Sequence, residues 1–342
     1  MYDHNNMVRL QDTTKNGKER DWKGKKRRSK IVANHYEAGN LLKKAERMNE
    51  CANVLKFKQQ GETLKLYQAY FCKVRFCPMC AWRRSLKIAF NNKKVVETVN
   101  ERRKVQWLFL TLTVRNCEGN ELKSTLDEMT KAWNRFAGYT KVKKSVLGYF
   151  RALEVTKNRK SDSQWNGTYH PHFHVLICVP SSYFKKKELY ITQSDWTDFW
   201  QKAMRLDYKP IVHVQKVKPK DSLNLEEIEE DIREQIGQQK ALLEISKYPV
   251  KDTDIIEGDT VTEENVETLK TFEAALSYKR LISYGGLMKD IHKELNLQDV
   301  EDQDADLIEI DDENKDELAN SITEVVAYWN IGLRDYVIKN RG

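Results

Sequence analysis

Between Gln106 and Val217 the chain alternates apolar runs of strand length with segments of helical period, and this alternation restricts the possible folds more than any other feature. Runs at Gln106 to Val114, Val146 to Thr156, His170 to Val179 and Ile211 to Val217 are short and rich in β-branched or aromatic residues, as strands are. Leu122, Leu126, Met129, Trp133 and Phe136 recur at helical spacing, and Ser194 is a candidate cap for a second helix reaching Met204. In order this is β-α-β-β-α-β, the split, ferredoxin-like arrangement in which two βα units build one antiparallel sheet with helices on one face. The expected class is therefore α+β. Helical patterns follow at Leu225 to Tyr248 and at Val266 to Leu295, where Gly285-Gly286 is a candidate break. After an acidic stretch, an amphipathic pattern returns at Ile322 to Ile338, so that 261–342 reads as a helical C-terminal region.

The chain has 342 residues and a formal charge of +8. Asp299 to Glu317 alone carries eleven acids and one lysine, so this linker or exposed loop hides a strong basic surplus elsewhere. Such a surplus suits a phosphate backbone, although many basic proteins bind no nucleic acid. Lys15 to Lys30 holds nine Lys or Arg against two acids, which predicts that 1–40 is a mobile basic arm, either solubilising or DNA-gripping. No apolar run reaches membrane-spanning length, and Met1 to Leu10 is polar, so a cytoplasmic protein with no membrane partner is expected. Six cysteines in such a chain are metal ligands or core residues more readily than disulfides.

On a strand, side chains alternate faces, so His170, His172 and His174 all project to one side while Phe173, Val175 and Ile177 pack on the other. Three imidazoles sharing one face suit a transition metal, to which each gives a neutral nitrogen. Mg²⁺ or Mn²⁺ also wants oxygen. Glu154, in the apolar context Ala152-Leu153-Glu154-Val155 on the preceding strand, is the natural donor; the alternative is a solvent-facing carboxylate.

Tyr248 and Lys251 lie three residues apart, and Glu244 lies one turn before the tyrosine. A phenol with a pKa near ~10 needs a neighbouring cation or base to become a nucleophile. Lys251 supplies the charge and Glu244 a general base. Pro249 ends or kinks a helix at this point, and an ordinary core tyrosine beside an ion pair is the other reading. Upstream, Cys72, Cys77 and Cys80, with Cys51 twenty-one residues before Cys72, have spacings compatible with a structural Zn²⁺. His35 is an alternative fourth ligand. Arg75, Arg83, Arg84 and Lys87 surround this cluster, as in a small knuckle that grips DNA phosphate, or as the charged surface of a scaffold.

These pieces together resemble the rolling-circle replication initiators of small Gram-positive plasmids, members of the HUH endonuclease superfamily. The resemblance rests on Phe109-Leu110-Thr111-Leu112-Thr113, His170-Pro171-His172-Phe173-His174 and Lys247-Tyr248-Pro249-Val250-Lys251-Asp252, in that order. It is supported by the Cys72 to Arg84 segment and by Lys279-Arg280-Leu281-Ile282-Ser283-Tyr284-Gly285-Gly286, and it covers roughly residues 41 to 295. It implies a Cys-rich zinc-binding element over 41–100 and an HUH nuclease core over 101–260. It further implies that Tyr248 attacks a phosphodiester of plasmid origin DNA, at a hairpin or single-stranded nick site, giving a 5′-phosphotyrosine and a free 3′-hydroxyl. Mn²⁺ or Mg²⁺ on His172, His174 and Glu154, with His170 close by, would polarise that phosphate. With no second tyrosine one turn away, Glu244 would activate water for the closing cleavage. Host helicase and DNA polymerase are implied partners, and a homodimer is compatible. A relaxase or single-tyrosine transposase would share this chemistry; a zinc-containing DNA-binding repressor would lack it.

Overall fold

In a computed structural model the described residues are 7–14, 17–217, 251–302, 304–310 and 323–339. Among them the elements run β1 (Met7–Arg9), α1 (Trp22–Ala38), α2 (Leu42–Glu50), β2 (Val54–Gln60), β3 (Thr63–Ala69) and α3 (Pro78–Arg102). Next come β4 (Val105–Thr113), α4 (Leu122–Gly138), α5 (Thr140–Ser145), β5 (Gly148–Lys157), β6 (Tyr169–Pro180), α6 (Gln193–Met204) and β7 (Val212–Lys216). The last are α7 (Asp252–Ile255), α8 (Glu263–Leu276), β8 (Ile282–Gly286), α9 (Leu287–Glu294), β9 (Thr323–Asn330) and β10 (Asp335–Lys339). The class is α+β, with two five-stranded sheets rather than the one expected, and every strand pairing is antiparallel.

The sheet that carries the histidines has the order β7-β4-β6-β5-β8. Its first four strands and two helices are those read from the sequence, interleaved as two βα units. Pro171 sits inside the central strand β6 without costing a ladder bond. Glu154 and His172 face each other across β5 and β6, the backbone of Leu153 points instead to Leu281 on the far side of β5, and Pro171 therefore points toward β4. There β4 has already ended, opposite His172. The opposite face of the sheet is the aromatic core. Helix α4 buries Leu126, Met129, Trp133 and Phe136, and α6 buries Trp196 and Trp200. Phe136 meets both tryptophans at 5.6 and 5.8 Å between ring centroids, and Phe173 of β6 meets Trp133 and Trp200 at 5.9 and 6.0 Å. The cap of α6 is Thr192 rather than Ser194, in a reciprocal box with Asp195.

Four expectations are corrected. The 1–40 region is not a mobile arm over its described part: β1 joins a sheet and α1 is a 17-residue helix that buries Trp22, Lys26, Val32, Ala33 and Tyr36. Its dense lysines concealed an apolar stripe. Val266 to Leu295 is not one helix, because β8 intervenes and pairs with β5. Gly286, at φ +54°, closes that strand where any Cβ would lie 2.4 Å from the Leu147 carbonyl oxygen. The C-terminal region is not purely helical: β9 and β10 form a hairpin between β1 and β2 in the second sheet, whose order is β1-β10-β9-β2-β3. The described part of the acidic stretch is not simply an exposed loop, since Val300, Ala305 and Leu307 are buried. Among the described residues, no helix is long and apolar enough to cross a membrane.

Candidate active site

Cross-strand register builds the first half of the site. Glu154 on β5 is directly opposite His172 on β6, and Ala152 is opposite His174, so the carboxylate stands beside one imidazole and diagonal to the other. Glu154 Oε2 lies 3.4 Å from His172 Nε2 and 3.1 Å from His174 Nε2. The remaining ring nitrogens are anchored. His172 Nδ1 is 3.2 Å from the His170 carbonyl oxygen, and His174 Nδ1 is 3.2 Å from Thr111 Oγ1, which reaches across from β4. With Nδ1 occupied by those oxygens, Nε2 of each ring is the atom turned toward the carboxylate, as in metal-binding imidazoles held by an outer partner.

One oxygen and two nitrogens thus converge within 4.8 Å of one another, a mixed donor set that fits a divalent cation. Burial pushes the Glu154 carboxyl up, but hydrogen bonds and charge from His172 and His174 outweigh it and hold the group well below the usual carboxylate range. His170, its ring 5.3 Å from that of His172, lies outside the converging set. Burial, followed by the charge of His172, pulls its pKa down.

Tyr248 and Glu244 lie outside the described residues, as does the helix read at Leu225 to Tyr248. Lys251 is described and exposed; it immediately precedes α7, which packs against β5. Asp254 of that helix is half-buried, and its desolvation together with the negative charge of Glu154 raises its pKa to about 6. Arg159 donates to the Ile255 carbonyl at 2.8 Å, and Arg28 of α1 bonds Asp252 and the Ile256 and Gly258 carbonyls. The chain just after the tyrosine motif is therefore clamped from two directions beside Glu154. Sequence reasoning missed Thr111, Asp254 and Arg28. The first lay in a motif strand without a role, and nothing local marks the other two.

The cysteines converge more tightly. Cys51, Cys72, Cys77 and Cys80 are all buried, with Sγ to Sγ separations of 3.6 Å for Cys51/Cys80 and Cys72/Cys80 and 3.8 Å for Cys51/Cys77. A tetrahedron with ~2.3 Å metal–sulfur bonds has edges of about 3.8 Å, whereas a disulfide is about 2.05 Å, so the four sulfurs fit a closed zinc site. The backbone N–H groups of Cys72 and Lys73 point at Cys51 Sγ and Cys80 Sγ at 3.4 and 3.3 Å, with Lys73 in a left-handed turn at φ +56°. The fourth sulfur is that of Cys51. His35, the alternative ligand, instead spends both ring nitrogens on the Ile31 and Thr260 carbonyls.

The basic residues around this cluster are bonded to oxygens of the protein itself. Arg83 is 5% exposed, donates to the Leu307 and Ile308 carbonyls at 2.8 Å and lies against Trp22, Phe71 and Trp82. Arg84 donates to the Lys73 carbonyl, Lys87 to Gln298 and the Asp306 carbonyl, and Arg75 to the Lys279 carbonyl. Helix α3 buries the face that carries Arg83, Arg84 and Lys87, so these cations fasten the cysteine loop and the acidic stretch.

A sequence model of the replication protein family matches residues 63–337. The chain belongs to the replication protein family. That span includes the three-donor site, three of the four clustered cysteines and the tyrosine motif. This family member is 53% identical over 339 residues to a "Protein rep" of Bacillus amyloliquefaciens, covering 96% of this chain and 97% of the relative. It is 40% identical to one of Lactiplantibacillus plantarum, over 96% of this chain and 98% of the relative. A "Replication protein" of Staphylococcus aureus is 45% identical over 251 residues, 73% of this chain and 97% of that protein. No solved structure matches significantly.

Proposed function

We propose that this replication protein initiates rolling-circle replication of a plasmid, as an HUH endonuclease that nicks one strand of origin DNA through Tyr248. The observation that carries the proposal is the convergence of Glu154, His172 and His174 on one face of the sheet, with the described end of the tyrosine motif docked alongside. Mn²⁺ or Mg²⁺ held by these three residues would supply positive charge to the scissile phosphate and orient it. Tyr248 precedes the start of α7 by four residues, at most about 14 Å of extended chain.

The Tyr248 phenol gives up its proton to Glu244, favoured by the nearby Lys251 charge, and its oxygen attacks phosphorus in line. The bond from phosphorus to the 3′ oxygen breaks, that oxygen takes up a proton, and the 5′ end remains esterified to Tyr248. The free 3′-hydroxyl primes host DNA polymerase while host helicase opens the duplex. In the closing step Glu244 takes a proton from water, whose oxygen attacks phosphorus at the regenerated nick site; the bond to the 3′ oxygen breaks, that oxygen takes up a proton, and the new 3′-hydroxyl displaces Tyr248 from its phosphate ester, the phenol leaving with a proton. The four cysteines, holding Zn²⁺, brace the element that carries α3.

Supercoiled origin plasmid incubated with the protein and Mn²⁺ or Mg²⁺ should give open circles with protein covalently attached, and Tyr248→Phe should abolish the adduct. An adduct that survives in Tyr248→Phe moves the nucleophile elsewhere. Wild-type protein that binds origin DNA but leaves it intact in either metal is a DNA-binding protein without this chemistry.

A further inference from the structure

The loop from 181 to 191, which joins β6 to α6, is fixed from within and from α5. Buried Tyr183 donates its hydroxyl hydrogen to the Ile191 carbonyl at 3.1 Å and accepts from the Ile191 N–H at 3.2 Å. Lys141 donates to the Lys187 and Glu188 carbonyls at 3.0 and 2.8 Å, and Ser145 to that of Leu189 at 2.6 Å. This rigid frame presents two aromatic rings to solvent: Phe184 is 44% exposed and Tyr190 is 42% exposed. Their centroids are 5.9 Å apart, and Tyr183 supports them from below at 5.0 and 5.6 Å.

Cations accompany the rings. Lys216 on β7 places Nζ 5.2 Å from the Phe184 centroid, Lys185, Lys186 and Lys187 are exposed on the same loop, and Lys143 and Lys144 are exposed on α5, whose Lys141 and Ser145 hold that loop. Among the described residues no carboxylate pairs with these five lysines, and Glu188 is the one acid of the loop. An acidic protein surface would use the lysines and leave the rings idle; duplex DNA would do the same, because its bases are stacked away. Unpaired bases use both, with faces on the rings and phosphates on the lysines.

We infer that Phe184 and Tyr190, with the lysines around them, form a stacking platform for the single-stranded DNA that flanks the nick site. The inference rests on the reading of this chain as an origin nickase. The platform lies round the sheet edge from the donors: His213, Thr111 and His174 share one row across β7, β4 and β6, and Lys216 lies three residues further along β7, about 10 Å at ~3.3 Å per residue, with its side chain on the opposite face. A strand held at Glu154, His172 and His174 therefore reaches the platform by crossing edge strand β7.

The test is fluorescence anisotropy of the full chain, without metal, on the single-stranded nick region of the origin and on the same region as duplex. Stacking is worth ~1–3 kcal/mol per base, so the Phe184→Ala, Tyr190→Ala double variant should lose at least about tenfold in single-strand affinity and leave duplex binding unchanged. Phe184→Trp, which keeps a ring, should bind like wild type. Replacing Lys185, Lys186 and Lys187 by Ala should lower the salt slope by about 2, from ~0.7 per phosphate contact. A double variant with wild-type melting temperature and wild-type single-strand affinity overturns the platform while the nickase reading stands. Loss in the lysine variant without loss in the aromatic one also overturns it, in favour of a contact to phosphates alone. Wild-type protein with no affinity for the single strand removes both.

Discussion

Replacing Arg28 by Ala should loosen the chain that follows Tyr248 without disturbing the metal donors. The Arg28 side chain is 20% exposed and Asp252, its carboxylate partner, 23% exposed, so the pair is only partly screened. Two further donations go to backbone oxygens of Ile256 and Gly258; the Asp259 contact, at 79% exposure of that carboxylate, contributes little. A partly buried charge-assisted bond and two carbonyl bonds, discounted for solvent, give a local stabilisation of about 2 kcal/mol. That is about 30-fold in an opening equilibrium at 1.36 kcal/mol per tenfold. Hydrogen exchange of the amides from 251 to 258 should accelerate by that order, while those of β5 and β6 stay as in wild type. Arg28→Lys should recover less than half, since an ammonium cannot hold three separated oxygens as the fork does. Adduct formation should slow in Arg28→Ala with metal affinity unchanged. Wild-type exchange rates over 251 to 258 in Arg28→Ala would refute the clamp.

Metal analysis of purified protein should find about one zinc per chain, and Cys77→Ser should lose it together with several degrees of melting temperature; zinc retained in that variant argues against the four-sulfur site. Thr111→Val removes the oxygen that orients His174 and should weaken Mn²⁺ binding by about 10- to 100-fold in calorimetry with the fold intact; unchanged affinity denies Thr111 a positioning role. Asp254 titrates at about 6 in the folded chain against an ordinary 3.8, so the folded state holds an extra proton between those values. The stability of its neutral form is complete below about pH 4 and is lost as pH rises through 6. Metal-free Asp254→Asn should therefore be the more stable protein at pH 7, by up to about 3 kcal/mol, with the difference vanishing near pH 4; equal stabilities at pH 7 would show that the carboxylate is not strained there.

What the sequence by itself determined lies where interactions repeat at short range. Alternation along β6 puts His172 and His174 on one face and Phe173 in the core, and the period of α4 selects Leu126, Met129, Trp133 and Phe136. The strand order of four elements followed from their sequence of types, because connections are short and neighbouring elements pack. Glu154 was legible as the odd acid of an apolar strand. Tertiary structure decided everything that depends on segments distant in the chain. Cys51 rather than His35 completes the sulfur cluster because α1 turns that histidine toward Thr260. The β9–β10 hairpin is a pair of strands only because β2, more than two hundred residues upstream, offers an edge to it. The lysines and arginines from 15 to 30 and on α3 looked like a grip for DNA, since charge count carries no direction. Packing turned Lys26, Arg28, Arg83 and Lys87 inward onto carbonyls and carboxylates. A buried cation must find oxygen within hydrogen-bond reach, and only the assembled fold specifies which oxygens those are.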